Sequence, residues 1–158
     1  MNRFHALLLS IASVLPLACL ASTSQAGTYE KYLSADEVKT VAGMDAVTLK
    51  PEKDTEPLKF TNGGGSPILS VRFATAKTYN KEEAKKIGIF KESLSGIGED
   101  AFSSPSADPQ YSLYFKKGPL AVTLTAFYNA NSKSGAPTPY FFTIDQLKEL
   151  AKRIASKI

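Results

Sequence analysis

The chain has 158 residues, with 19 Lys and Arg against 15 Asp and Glu, for a formal net charge of +4. It carries one cysteine, one histidine and no tryptophan. A single thiol excludes an internal disulfide framework, and so mild a basic excess argues against a nucleic-acid reader, which shows a dense Arg/Lys stripe interleaved with exposed aromatics.

Residues 1–26 read as a secretory signal peptide. Arg3 and His5 make a basic start, residues 6–20 are an apolar run broken by Ser10, Ser13 and Pro16, and Ser24 and Ala26 are the small residues a signal peptidase needs just before its cut. The run is too short and interrupted for a membrane span of ~20 predominantly apolar residues. No later segment approaches one, so the mature chain 27–158 is expected to be exported, periplasmic or secreted, with no transmembrane segment. Cys19, preceded by Ala18, offers an alternative: a lipoprotein signal cut there would leave a lipid anchor, although Pro16 stands where such signals usually carry a branched apolar residue. Cleavage after Ala26 removes both Cys19 and His5. The mature chain must then be held by an apolar core, and its length suits a single domain.

The first helix starts at Ser34, with Glu37 three residues on as a capping-box partner and Leu33 placed to staple against Val38; Gly43 stops it. Short strands follow at 46–49 and 58–61, separated by a charged loop at 51–57. Three consecutive glycines, 63–65, could present amides to an anion, but a phosphate loop needs a helix directly behind it. Residues 68–75 instead alternate, with Leu69, Val71 and Phe73 on one face, so 61–67 reads as a hairpin connection. Asn80 caps a second helix whose Glu82 and Glu83 suit the positive end of its dipole, whose Ala84 and Ile87 are expected to face inward, and which Gly88 ends.

Residues 94–102, LSGIGEDAF, look at first like a phosphate or metal loop. No helix starts behind their glycines and no further ligand stands near their acids, so Gly96 and Gly98 are expected to bend the chain, Ile97 to anchor in the core, and Glu99 and Asp100 to sit at the wet end of a strand begun by Ala101 and Phe102. Two alternating strands follow: 111–116 with Tyr111, Leu113 and Phe115 on one face, and 120–127 with Leu120, Val122 and Leu124 inward, joined by a turn at 117–119. After a polar loop from 129 to 139, Thr143 and Gln146 form a second capping box. Ile144, Leu147, Leu150, Ala151, Ile154 and Ile158 then lie at helical spacing on one stripe. The expected class is α+β: an antiparallel sheet of about five strands backed by helices, in the order α-β-β-α-β-β-β-α, with a polar second face left solvated or partly covered.

The segments LSADEV (33–38), GIGEDAF (96–102), YFKKGPLAVTLTAF (114–127) and IDQLKELAKRIASKI (144–158) resemble a group of exported bacterial domains. These are the small actinobacterial envelope lipoproteins and the extracytoplasmic sensor domains of transmembrane Ser/Thr kinases, related in fold to the PsbP-like α/β proteins. The resemblance spans most of the mature chain and implies an exported binding or sensing role. It supplies no catalytic residues, and this chain lacks the paired cysteines that many of those domains carry.

The mature inventory cannot form Ser-His-Asp or Cys-His nucleophilic sites or a His/Cys zinc site. A metal would need oxygen ligands, and Glu52, Asp54 and Glu56 lack the glycine and distal glutamate of an EF-hand loop, so neither metal nor cofactor is expected. The other acid pairs are Asp36/Glu37, Glu82/Glu83 and Glu99/Asp100. Aromatic residues concentrate on the last hairpin and around the 129–140 loop. Tyr114 shares its strand face with Ser112 and Lys116, opposite Phe115, while Tyr128 and Tyr140 flank the loop. Amphipathic rings beside a polar loop suit a contact surface, so Tyr114, Lys116, Tyr128 and Tyr140 are the candidate ligand- or partner-binding residues. The expected function is a non-catalytic, exported envelope module that binds a ligand or protein partner. The alternatives are a small carboxylate-based hydrolase and a basic surface protein for anionic envelope polymers.

Overall fold

The computed structural model describes residues 29–50, 57–105, 110–131 and 139–158. The expected leader with its cut after Ala26, the possible anchor at Cys19, the acids Glu52, Asp54 and Glu56, and the middle of the long loop lie outside these residues.

A short 3-10 turn at Glu30–Tyr32 leads into α1 (Ala35–Ala42). The Ser34 hydroxyl accepts from the Glu37 amide, and the Glu37 carboxylate accepts in return from the Ser34 amide at 2.9 Å, so the expected capping box is formed. Gly43, at φ +65°, ends the helix in the left-handed conformation that side chains resist. Three strands follow, β1 (Val47–Lys50), β2 (Leu58–Asn62) and β3 (Pro67–Thr75), and β2 and β3 are joined by the glycine connection. Within it the Asn62 side chain accepts from the amides of Gly64 and Ser66, so its polar groups close a hairpin on themselves. Another 3-10 turn (Ala76–Thr78) leads to α2 (Lys81–Lys86), capped by Asn80. Then come β4 (Glu92–Leu94), β5 (Glu99–Ser103), β6 (Gln110–Lys117), β7 (Leu120–Phe127) and α3 (Ile144–Lys157), the last started by the Thr143–Gln146 capping box.

The class is α+β, with all strands in one antiparallel sheet of order β1-β2-β3-β7-β6-β5-β4. Two meanders, one before α2 and one after it, are therefore zipped together along β3 and β7. The sheet has seven strands where about five were expected, and the order is α-β-β-β-α-β-β-β-β-α. The segments read as strands at 46–49, 58–61 and 68–75 all pair, which gives three strands before α2 where the expected order allowed two. The other addition is β4, a three-residue edge strand too short to show alternation and exposed at Glu92 and Ser93.

One face of the sheet carries the core. Phe60, Leu69, Val71, Leu113, Phe115, Val122 and Leu124 are buried there with Val38 of α1 and with Leu147, Leu150, Ala151 and Ile154 of α3. Removing Leu147, Leu150 and Ile154 from water contributes about 1.5–3 kcal/mol each, and α3 is thereby fixed across β6 and β7, with α1 against α3 and β1. Ile97 is buried as expected, and Glu99 and Asp100 are exposed at the start of β5. Ile87 corrects another expectation. It is 62% exposed, because α2 ends at Lys86 and the turn through Gly88 carries residue 87 away from the sheet, leaving Ala84 as the buried contact of that helix.

Candidate functional site

The helices α1 and α3 cover one face of the sheet, and the opposite face is built in rows set by strand register. The central row runs Arg72–Thr123–Tyr114–Phe102 across β3, β7, β6 and β5. On one side of it lies a row of hydroxyls, Ser70–Thr125–Ser112, in which Ser112 and Thr125 are hydrogen-bonded at 2.8 Å. On the other side lies Ala74–Ala121–Lys116. Side chains two apart on a strand share a face, so these rows follow from alternation once the pairing is known.

The small alanines leave a hollow that the 3-10 turn and α2 overhang. The result is a cleft of about 420 Å³ with Ala74, Ala121, Thr123, Tyr114 and Phe102 on the sheet side and Tyr79, Ala84 and Ile89 among its other walls. Its aromatic side is well organised: the Tyr114 ring stacks on Phe102 at 4.7 Å and 11°, and Tyr79 and Phe90 lie tilted against Phe102 at 5.8 and 5.7 Å. Behind it, Asp100 binds Lys81 at 2.6 Å, and the Tyr79 hydroxyl donates to the Asp100 carbonyl. Burial, with the Asp100 charge adding to it, pushes the Tyr79 phenol well above its usual range, so Tyr79 stays a neutral donor.

Arg72 lines this cleft and also a second, more polar hollow of about 360 Å³, bordered by Pro57, Ser70, Tyr114, Thr123, Thr125 and Phe127. The two hollows share Arg72, Tyr114 and Thr123, so they are parts of one furrow. Arg72 is exposed, and its guanidinium makes no ion pair or hydrogen bond among the described residues. Each ion-paired acid there is engaged elsewhere, as Asp100 is with Lys81 and Glu37 with Lys157. No cluster of three acids able to hold a metal ion occurs among the described residues.

The expected site residues divide into two groups. Tyr114 and Lys116 stand on the open face, Tyr114 in the wall of both hollows and Lys116 in the alanine row. Tyr128 and Tyr140 meet at the far end in an isolated antiparallel bridge, with rings 6.2 Å apart and perpendicular. Tyr140 is only 7% exposed and sets its edge against Tyr111 at 4.6 Å, so it packs as part of the core. Tyr128 is 43% exposed and borders a depression with Asn62, Pro67, Phe127 and Asn129. Phe127 lines this depression and the polar hollow alike, and so links the two ends. The residue that sequence reasoning passed over is Arg72. Its position between Val71 and Phe73 in an alternating strand already assigned it to the face away from the core.

The chain matches no protein-family model and no curated protein sequence.

Proposed function

We propose that the protein is a non-catalytic, exported module of the cell envelope that binds its ligand or partner through the open face of the sheet. The observation that carries this reading is the furrow around Arg72, lined by a guanidinium with no partner among the described residues, by the hydroxyls of Ser70, Thr123 and Thr125, and by the half-buried Tyr114 ring stacked on a buried Phe102. The leader at 1–26 supports export, and the resemblance of the 33–38, 96–102, 114–127 and 144–158 segments to envelope lipoproteins and kinase sensor domains supports a binding or sensing role.

The reading is tested by incubating tagged mature protein with envelope extract and identifying retained proteins and small molecules by mass spectrometry. Species held by the wild type should be lost with Arg72→Ala and Tyr114→Ala, and kept by Lys148→Ala on the outer surface of α3. A species retained equally by all four proteins would remove the open face from consideration. Arg72 also favours a second reading, adhesion to anionic envelope polymers, which predicts that retention falls steeply between low and physiological salt.

A further inference from the structure

We propose that the cleft between α2 and the sheet takes a small singly charged anion with an apolar body, its anionic head on Arg72 and its body over Tyr114 and Phe102. The inference rests on the open face being the binding surface, and it adds the chemical class of the ligand.

The observations are independent of one another. First, the hollow has a physical cause: Ala74 and Ala121 are paired across β3 and β7, one row from the Arg72–Thr123–Tyr114–Phe102 row, and line the same cleft as the rings of Tyr114 and Phe102. A step from alanines to aromatics on one sheet face leaves space with an apolar floor, and about 420 Å³ is within the range of small-molecule sites. Second, the walls are apolar as well. Ala84 is buried, Ile89 is 38% exposed at the cleft, and Tyr79 is held in place through its hydroxyl. Third, the charge is one-sided. Lys81 and Lys85, the cations over the Phe90 ring, are paired with Asp100 and Glu82, and Lys116 at the end of the alanine row does not line the cleft, whereas the Arg72 guanidinium does line it and has no partner among the described residues. A planar guanidinium at the edge of an apolar hollow suits a carboxylate or sulfonate, which it can bind with two parallel hydrogen bonds. Fourth, the groups next to Arg72 are Thr123 and, in the polar hollow, Ser70 and Thr125, all hydroxyl donors able to add to an anionic head. A neutral apolar ligand would leave Arg72 unused, and a purely ionic ligand would leave the cleft unfilled.

The test uses two fluorescent probes of similar shape, anilinonaphthalene sulfonate and its uncharged parent phenylnaphthylamine, titrated into the folded mature protein. The wild type should prefer the sulfonate by about tenfold or more, the expected value of a charge-assisted hydrogen bond. Arg72→Met should abolish that preference and leave phenylnaphthylamine binding unchanged, and Arg72→Lys should restore part of it. Ala74→Phe, which fills the hollow from the half-buried face of β3, should weaken both probes at least tenfold while the melting temperature stays near that of the wild type. Displacement of the sulfonate by decanoate or by naphthoate identifies the body as alkyl or aromatic. Equal affinity for the two probes, no binding of either, or a sulfonate preference that survives Arg72→Met overturns the proposal. If the probes fail while envelope species are still lost with Arg72→Ala and Tyr114→Ala, only the ligand class is wrong; if both fail, the open face is wrong too.

Discussion

Among the described glycines, Gly98 has the least room for a side chain. A Cβ built on it would lie 2.6 Å from the Lys116 carbonyl oxygen and 2.8 Å from the Phe115 ring, and its φ is +47°. β5 begins directly against β6 there, and its pairing shifts register between Glu99 and Phe102, with Asp100 itself at φ +55°. A left-handed bulge residue without a glycine is uncommon, and at Asp100 the ion pair with Lys81 helps to hold it. Gly118, at φ +53°, has open space around it. Gly98→Ala is therefore expected to cost about 3 kcal/mol, steric clash adding to conformational cost, against about 1 kcal/mol for Gly118→Ala. Urea unfolding of the two variants measures the difference, and equal losses would show that β5 can shift to make room. At Tyr111 the hydroxyl donates to the Phe142 carbonyl at 2.5 Å, and burial, then the neighbouring Tyr140 and Asp145, push its phenol up, so it stays a neutral donor. Tyr111→Phe should cost about 1 kcal/mol through the carbonyl left without its partner.

At the scale of elements, the two ends of the helical layer are joined by one carboxylate. Glu37 completes the capping box of α1 and also receives Lys157, from the last turn of α3, at 2.6 and 2.8 Å. Burial alone would push this carboxyl up, but the hydrogen bonds from Lys157 and from the Ser34 amide and hydroxyl outweigh it and hold Glu37 below its usual range. A carboxyl whose folded value is depressed contributes stability that is present above its unfolded value, about 4.3 for glutamate, and is lost as pH falls through the folded value. Glu37→Gln should therefore lower stability at pH 7 by up to about 1 kcal/mol through the lost ion pair with Lys157, since a glutamine can still close the capping box as Gln146 does in α3. The difference from the wild type should shrink as pH is taken below about 4. Denaturant midpoints at neutral and acid pH check this, and a pH-independent difference would show that the charge contributes nothing. By contrast α2 is six residues long with one buried side chain, Ala84, and is held chiefly by its Asn80 cap and the Lys81–Asp100 pair. Asn80→Ala should cost about 1 kcal/mol and show first as loss of amide protection in 81–86, since α2 has little tertiary packing to replace its cap.

For the whole molecule, the junction of β3 and β7 decides both stability and site. It zips the two meanders together, buries Val71 against Leu124 on one face and sets Arg72 beside Thr123 on the other. Leu124→Ala should cost about 3 kcal/mol, with both meanders melting in one transition, because neither has a second core to fall back on. Much of this was legible in the chain. The capping residues Ser34, Asn80 and Thr143, the stripe from Leu147 to Ile154, the glycine hairpin at 62–66 and the alternation of β3, β6 and β7 are local patterns, and each formed where local physics placed it. The edge strand at 92–94 was not legible, since three residues have no period, and neither was the outward turn of Ile87, which depends on where α2 stops. The candidate site was half legible. Alternation alone put Tyr114, Lys116 and Arg72 on the face away from the core, because side-chain direction in a strand is a property of the strand itself. That Tyr140 joins the core, and that Ala74 and Ala121 meet beside Phe102 to open a cleft next to Arg72, required the pairing of β3 with β7 across some fifty residues of chain. Non-local register is the sum of many weak contacts, and no single residue announces it. In the alternating strands the sequence thus determined which side chains face outward, and only the tertiary structure decided which of them stand together.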